Sequence, residues 1–189
     1  MEEGVDAENV CVIKGDKMKK REFILNEIWM LTIGASFQRA SVYTSHCSGI
    51  DKTKFRNQLK EYIANLSKSY LHEPISEDQH IQNIHHIREY SKSFKTILTN
   101  GGLNFGVCQK LLNLYLKYLW CLGYMKSNPP HFPVDRIIQT KLNIKNAYPW
   151  TQMVDEEEYM KVINTAKEFM KTHNIDNLAE LELFLYQRR

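Results

Sequence analysis

The chain has 189 residues, 43% of them hydrophobic and 25% charged, with a formal net charge of +3. These proportions suit a folded domain with a sizeable core and exclude disorder over most of the length, while the mild basic excess permits an anionic partner without requiring one. No run approaches the roughly eighteen apolar residues of a membrane span, and the acidic start (Glu2, Glu3, Asp6) is unlike a secretory leader, so the expected setting is cytoplasmic.

Residues 1–19 mix Glu, Asp, Gly and Lys without periodicity and read as a loosely ordered lead-in, with a short extended piece at residues 10–13. A single helical domain is expected over residues 20–189. Its first helix is predicted over residues 20–45, with Phe23, Ile24, Ile28, Leu31 and Phe37 as the apolar face and Gly34 as a point of interruption. Asp51 reads as the cap of a second helix carrying Phe55, Leu59, Tyr62, Ile63 and Leu66, which Pro74 stops. Ser76 with Gln79 is a capping-box start for a third, continuing through Ile81, Ile84, Ile87, Tyr90 and Phe94 to Leu98. Asn100-Gly101-Gly102 then breaks the chain.

The next helix, residues 106–120, is apolar in nearly every direction, as expected of a helix enclosed by its neighbours. Its exceptions include Lys110, Asn113 and Lys117, spaced i, i+3 and i+7 and therefore on one face. Either that face meets a cleft, or the lysines snorkel to water past their apolar stems. Ser127-Asn128-Pro129-Pro130 forms a link, and Asp135 is placed to cap a short helix ending at Leu142. Asp155 with Glu158 opens a helix through His173, and Asn177 opens a last one ending in Arg188 and Arg189. The expectation is an all-α fold of six or seven helices.

Neither a metal nor a cofactor is expected. Cys11, Cys47, Cys108 and Cys121 lack ligand spacing and read as reduced, mostly buried thiols, and His80, His85 and His86 lack the i, i+4 pattern with a carboxylate, His80 fitting a solvated face.

Gly106-Val107, Lys110, Asn113, the apolar run and then Val134-Asp135 before an Ile-rich segment together resemble the core of the helix-hairpin-helix DNA glycosylase superfamily. The likeness spans about residues 101–145 and implies a helix-hairpin-helix core. It maps the family's hairpin glycine to Gly106, its lysine nucleophile to Lys110 and its supporting aspartate to Asp135. Cys108 stands where a second hairpin glycine is usual, Arg136-Ile137 stand in place of Thr-His, and the link from lysine to aspartate is longer.

The resemblance implies excision of a damaged or modified base from duplex DNA, the target base being flipped out of the stack. Asp135 would stabilise positive charge on the sugar, and Lys110 would attack as a neutral amine. Lys117 is a second cation on the same face, or an alternative nucleophile. Asn113, Trp120, His131, Phe132 and Trp150 are candidates for holding the base, and Gly106, Arg136, Lys141 and Lys145 for the DNA backbone. The alternative is a non-catalytic helical module binding nucleic acid or protein. The two differ on geometry: catalysis needs Lys110 and Asp135 on one accessible hollow, whereas a module expects Asp135 consumed as a helix cap and Lys110 pointing elsewhere.

Overall fold

The computed structural model describes the backbone of residues 7–186 and the side chains of residues 19–186. Among these the chain is all-α, with seven α-helices: α1 (Ala7–Phe37), α2 (Gly49–Ser67), α3 (Glu77–Lys92), α4 (Phe105–Cys121), α5 (Arg136–Lys141), α6 (Glu156–His173) and α7 (Leu178–Leu185). Short 3-10 turns stand at Lys68–Tyr70, Thr99–Gly101 and Trp150–Gln152. None of the described helices is long and apolar enough to cross a membrane.

Side-chain caps set most helix starts. Ser76, Asn104, Asp135, Asp155 and Asn177 each accept a backbone N–H from the first turn of α3, α4, α5, α6 and α7, worth about 1 kcal/mol apiece. The cap of α2 is Ser48, not Asp51: Ser48 Oγ accepts from the Asp51 amide at 3.1 Å and donates to the Asp51 carboxylate at 2.7 Å.

Helix α1 differs most from expectation. It begins at Ala7, inside the expected lead-in, and takes in residues 10–13, where an extended piece was expected; the earlier lead-in residues, like Arg188 and Arg189, lie outside the described residues. It passes through Gly34 uninterrupted and ends at Phe37, where Arg39 takes a left-handed φ of 64° and the chain turns to run beside residues 97–99. Its buried face is Ile28, Trp29, Thr32, Ile33 and Ser36, while Phe23 and Leu31 lie exposed. Helix α3 likewise stops at Lys92, short of Leu98, because Ile97 and Thr99 bond through their backbones to Thr44 and Val42.

The axis of the fold is α4. Every residue from Phe105 to Leu116 is buried, with α1 and α3 packed on it and the 3-10 turn at Trp150–Gln152 across its start. Thus the enclosed helix forms as its composition predicts.

Candidate active site

Lys110 projects from the second turn of α4 and is 6% exposed. Its Nζ lies 3.6 Å from Asp135 Oδ2 and 3.3 Å from the centroid of the Trp150 ring. Asp135 faces two ways: Oδ1 accepts the amides of Ile137 (2.9 Å) and Ile138 (3.1 Å), and Oδ2 is turned to Lys110. The carboxylate therefore caps α5, as the module reading expects, and also pairs with the amine; the amine is buried, and neither group lines the two openings described at the surface. Burial pushes the Lys110 amine below the ordinary lysine range; the Asp135 carboxylate opposes this, and the Arg39 guanidinium adds to it.

Two glutamines hold the elements that carry this trio. Gln109, beside Lys110 on α4, donates to the Val134 carbonyl at 2.8 Å and accepts the Val134 amide at 3.1 Å, which fixes the residue preceding Asp135. Gln139 on α5 treats Tyr148 the same way, donating at 2.8 Å and accepting at 3.3 Å, just ahead of Trp150. Each side-chain amide thus stands in for a missing backbone neighbour and satisfies a segment that has no ladder of its own. The Trp150 indole N–H donates to the Ser36 carbonyl at 3.2 Å, and Asn104 donates to Thr151 O at 2.6 Å.

Gly106 serves packing. Its amide donates to Met153 O at 3.0 Å, so the N–H assigned to a DNA phosphate is already engaged. A Cβ at this position would lie 1.9 Å from the Trp150 carbonyl oxygen, so only glycine lets the Trp150 segment close on α4.

Lys110, Asn113 and Lys117 do not share one opening. Asn113 is fully buried and donates to Gln109 Oε1 at 3.2 Å and to the Tyr159 hydroxyl at 2.9 Å. Tyr159 then donates to His131 Nδ1 (2.9 Å), and His131 Nε2–H donates to Glu77 Oε2 (3.0 Å), which also takes a bond from Lys167. Burial pushes His131 below the ordinary histidine range despite Glu77, consistent with a neutral ring in this directional chain. Lys117 pairs with the buried Glu182 carboxylate at 2.5 Å, its amine 4.2 Å from the Tyr186 ring centroid.

Burial also removes several residues expected at a substrate surface. His131 is 1% exposed and Phe132 2%; Trp120 is half-buried against the core. His80, expected on a solvated face, is fully buried and bonded through Nδ1 to the Tyr70 hydroxyl at 3.0 Å. Of the three described cysteines only Cys108 is buried. Arg136, Lys141 and Lys145 are exposed. Sequence reasoning missed Gln109, Gln139, Arg39 and Glu182; a glutamine within an apolar helix was the available signal for Gln109.

Among the described residues no group of three or more His, Cys, Asp or Glu side chains is arranged to hold a metal ion. No family model, curated protein or solved structure matches this chain.

Proposed function

We propose that this protein is a DNA glycosylase with an associated lyase step, centred on Lys110 and Asp135. The observation that carries the reading is a desolvated amine 3.6 Å from a carboxylate oxygen left over from a helix cap. Burial lowers the Lys110 pKa and so raises the share of the neutral amine that a nucleophile must be, and Asp135 is the carboxylate that would meet positive charge developing on a sugar. The resemblance over residues 101–145 supplies the reaction class.

In the proposed reaction the Lys110 lone pair forms a bond to C1′ as the bond from C1′ to the base breaks. The base leaves with that electron pair and gains a proton. Transfer of a proton from the new C–N nitrogen to O4′ opens the sugar ring and leaves a protonated Schiff base, and loss of a C2′ proton then expels the 3′-phosphate. Trp150 covers the amine, so the sugar reaches Nζ only when this ring moves aside.

The competing reading, a non-catalytic nucleic-acid- or protein-binding module, draws on the same cover over Lys110 and on the cap made by Asp135. Incubation with duplexes carrying a panel of damaged or modified bases separates them. Base release lost in Lys110→Gln and in Asp135→Asn supports the lyase, and release retained in Lys110→Gln but lost in Asp135→Asn indicates attack by water instead. No release from any duplex favours the module.

A further inference from the structure

One opening at the surface is separate from the Lys110 amine. It is a cleft of about 710 Å³ between the turn after α1, the C-terminal half of α3, the loop before α4 and the segment after Trp150. Arg39, Arg88, Lys92 and Lys95 all line it, and no Asp or Glu does. Lys92 also pairs with Glu89, one turn back, at 2.6 Å; no ion pair among the described residues takes up Arg39, Arg88 or Lys95. Four cations with one carboxylate, Glu89, beside two of them carry an excess of positive charge, and an anionic ligand relieves the repulsion that remains.

The walls are fixed. Ser91 Oγ accepts the Leu103 amide at 2.9 Å, tying the loop to α3, and Asn104 ties it to Thr151. Arg39 is held in the left-handed region, where a non-glycine residue persists only if its surroundings impose it.

We infer that this cleft binds the phosphodiester backbone of the strand that enters the Lys110 site. Its four cations and its volume exceed what one phosphate group needs. It also borders the candidate active site: Arg39 acts on both the cleft and the Lys110 amine, and Thr151 of the cleft follows Trp150 directly. The choice of a polynucleotide rests on the proposed function; the anionic character of the ligand rests on the cleft alone. Arg136, Lys141 and Lys145, the backbone contacts expected from sequence, are not among its lining residues.

The test is fluorescence anisotropy on the full chain with a labelled duplex containing a tetrahydrofuran abasic analogue, which cannot form a Schiff base, titrated across a range of salt. Lys92→Gln/Lys95→Gln and Arg39→Gln are expected to weaken binding by about tenfold and to lower the slope of log K against log salt by about one for each phosphate contact removed, with Arg136→Gln/Lys141→Gln close to wild type. Wild-type affinity and slope in both cleft variants, or no binding by the wild-type chain, overturns the inference. Binding of pyrophosphate in the cleft without binding of the duplex also overturns it, in favour of a small phosphate ligand. Duplex binding that depends on the cleft, with no base released from any substrate, upholds the cleft and rejects the glycosylase.

Discussion

Lys110 and Lys117 stand two turns apart on α4, and each meets a carboxylate and an aromatic ring, yet the two places are built differently. Lys117 and Glu182 are in close contact at 2.5 Å and both largely buried, and burial pushes the Glu182 carboxyl above the ordinary carboxylate range against the opposing pull of Lys117. Lys110 and Asp135 stand 3.6 Å apart, and half of the Asp135 carboxylate is committed to two backbone amides. The amine at Lys110 is desolvated without being fully compensated, which lowers its pKa. A tight buried pair is structural, whereas a desolvated amine with a loosely held partner retains reactivity.

The largest expected contrast is in covalent chemistry. Lys110→Gln removes borohydride-dependent trapping on DNA completely, whereas Lys117→Gln retains it in whatever fraction stays folded, as gel-shift of the trapped complex reports. Stability should give the reverse ranking. Lys117→Met strands the buried Glu182 carboxylate and costs about 3–5 kcal/mol in chemical denaturation, and the double change Lys117→Met/Glu182→Leu recovers most of that loss. Recovery failing in the double variant would show that the pair acts through something other than mutual neutralisation.

Gly106→Ala tests the frame that both lysines share. A new Cβ has no room beside the Trp150 carbonyl, so thermal or urea unfolding should show a loss of about 3 kcal/mol or more. Smaller effects distinguish the two roles of Asp135. Asp135→Ala loses the α5 cap and costs about 1 kcal/mol, while Asp135→Asn, itself a good cap, costs a few tenths, and both lose activity.

The pH dependence has a definite sign. The folded Lys110 pKa lies below the unfolded value of 10.5, so the folded state binds fewer protons across that interval. The penalty for burying the charged amine is present in full below the folded pKa and lifts as pH rises toward 10.5. Measured against Lys110→Met, the wild-type chain should gain relative stability with rising pH in that window, and trapping should accelerate over the same window as the neutral amine accumulates. A flat difference would contradict the depressed pKa.

Much of the helical frame was legible because capping and periodicity are local. Ser76, Asp135, Asp155 and Asn177 cap the helices they introduce, and the apolar composition of residues 106–120 does mark an enclosed helix. The end of α1 was not legible, because it is set by pairing with residues more than fifty positions away. Spacing placed Lys110, Asn113 and Lys117 on one face, but a helix buried all round offers no single exit. The tertiary partners Asp135, Tyr159 and Glu182 decide where each side chain goes. Histidine patterning misled for the same reason: His80, expected on a solvated face, and His131, expected to hold a base, are interior members of hydrogen-bonded chains.

The most direct measurement is peptide mapping by mass spectrometry after borohydride reduction of the protein with duplex DNA containing an abasic site. The account predicts a reduced sugar adduct on the peptide containing Lys110, at the Lys110 nitrogen and absent from Lys117. An adduct on another residue, or none under conditions where the duplex is bound, would contradict Lys110 as the nucleophile.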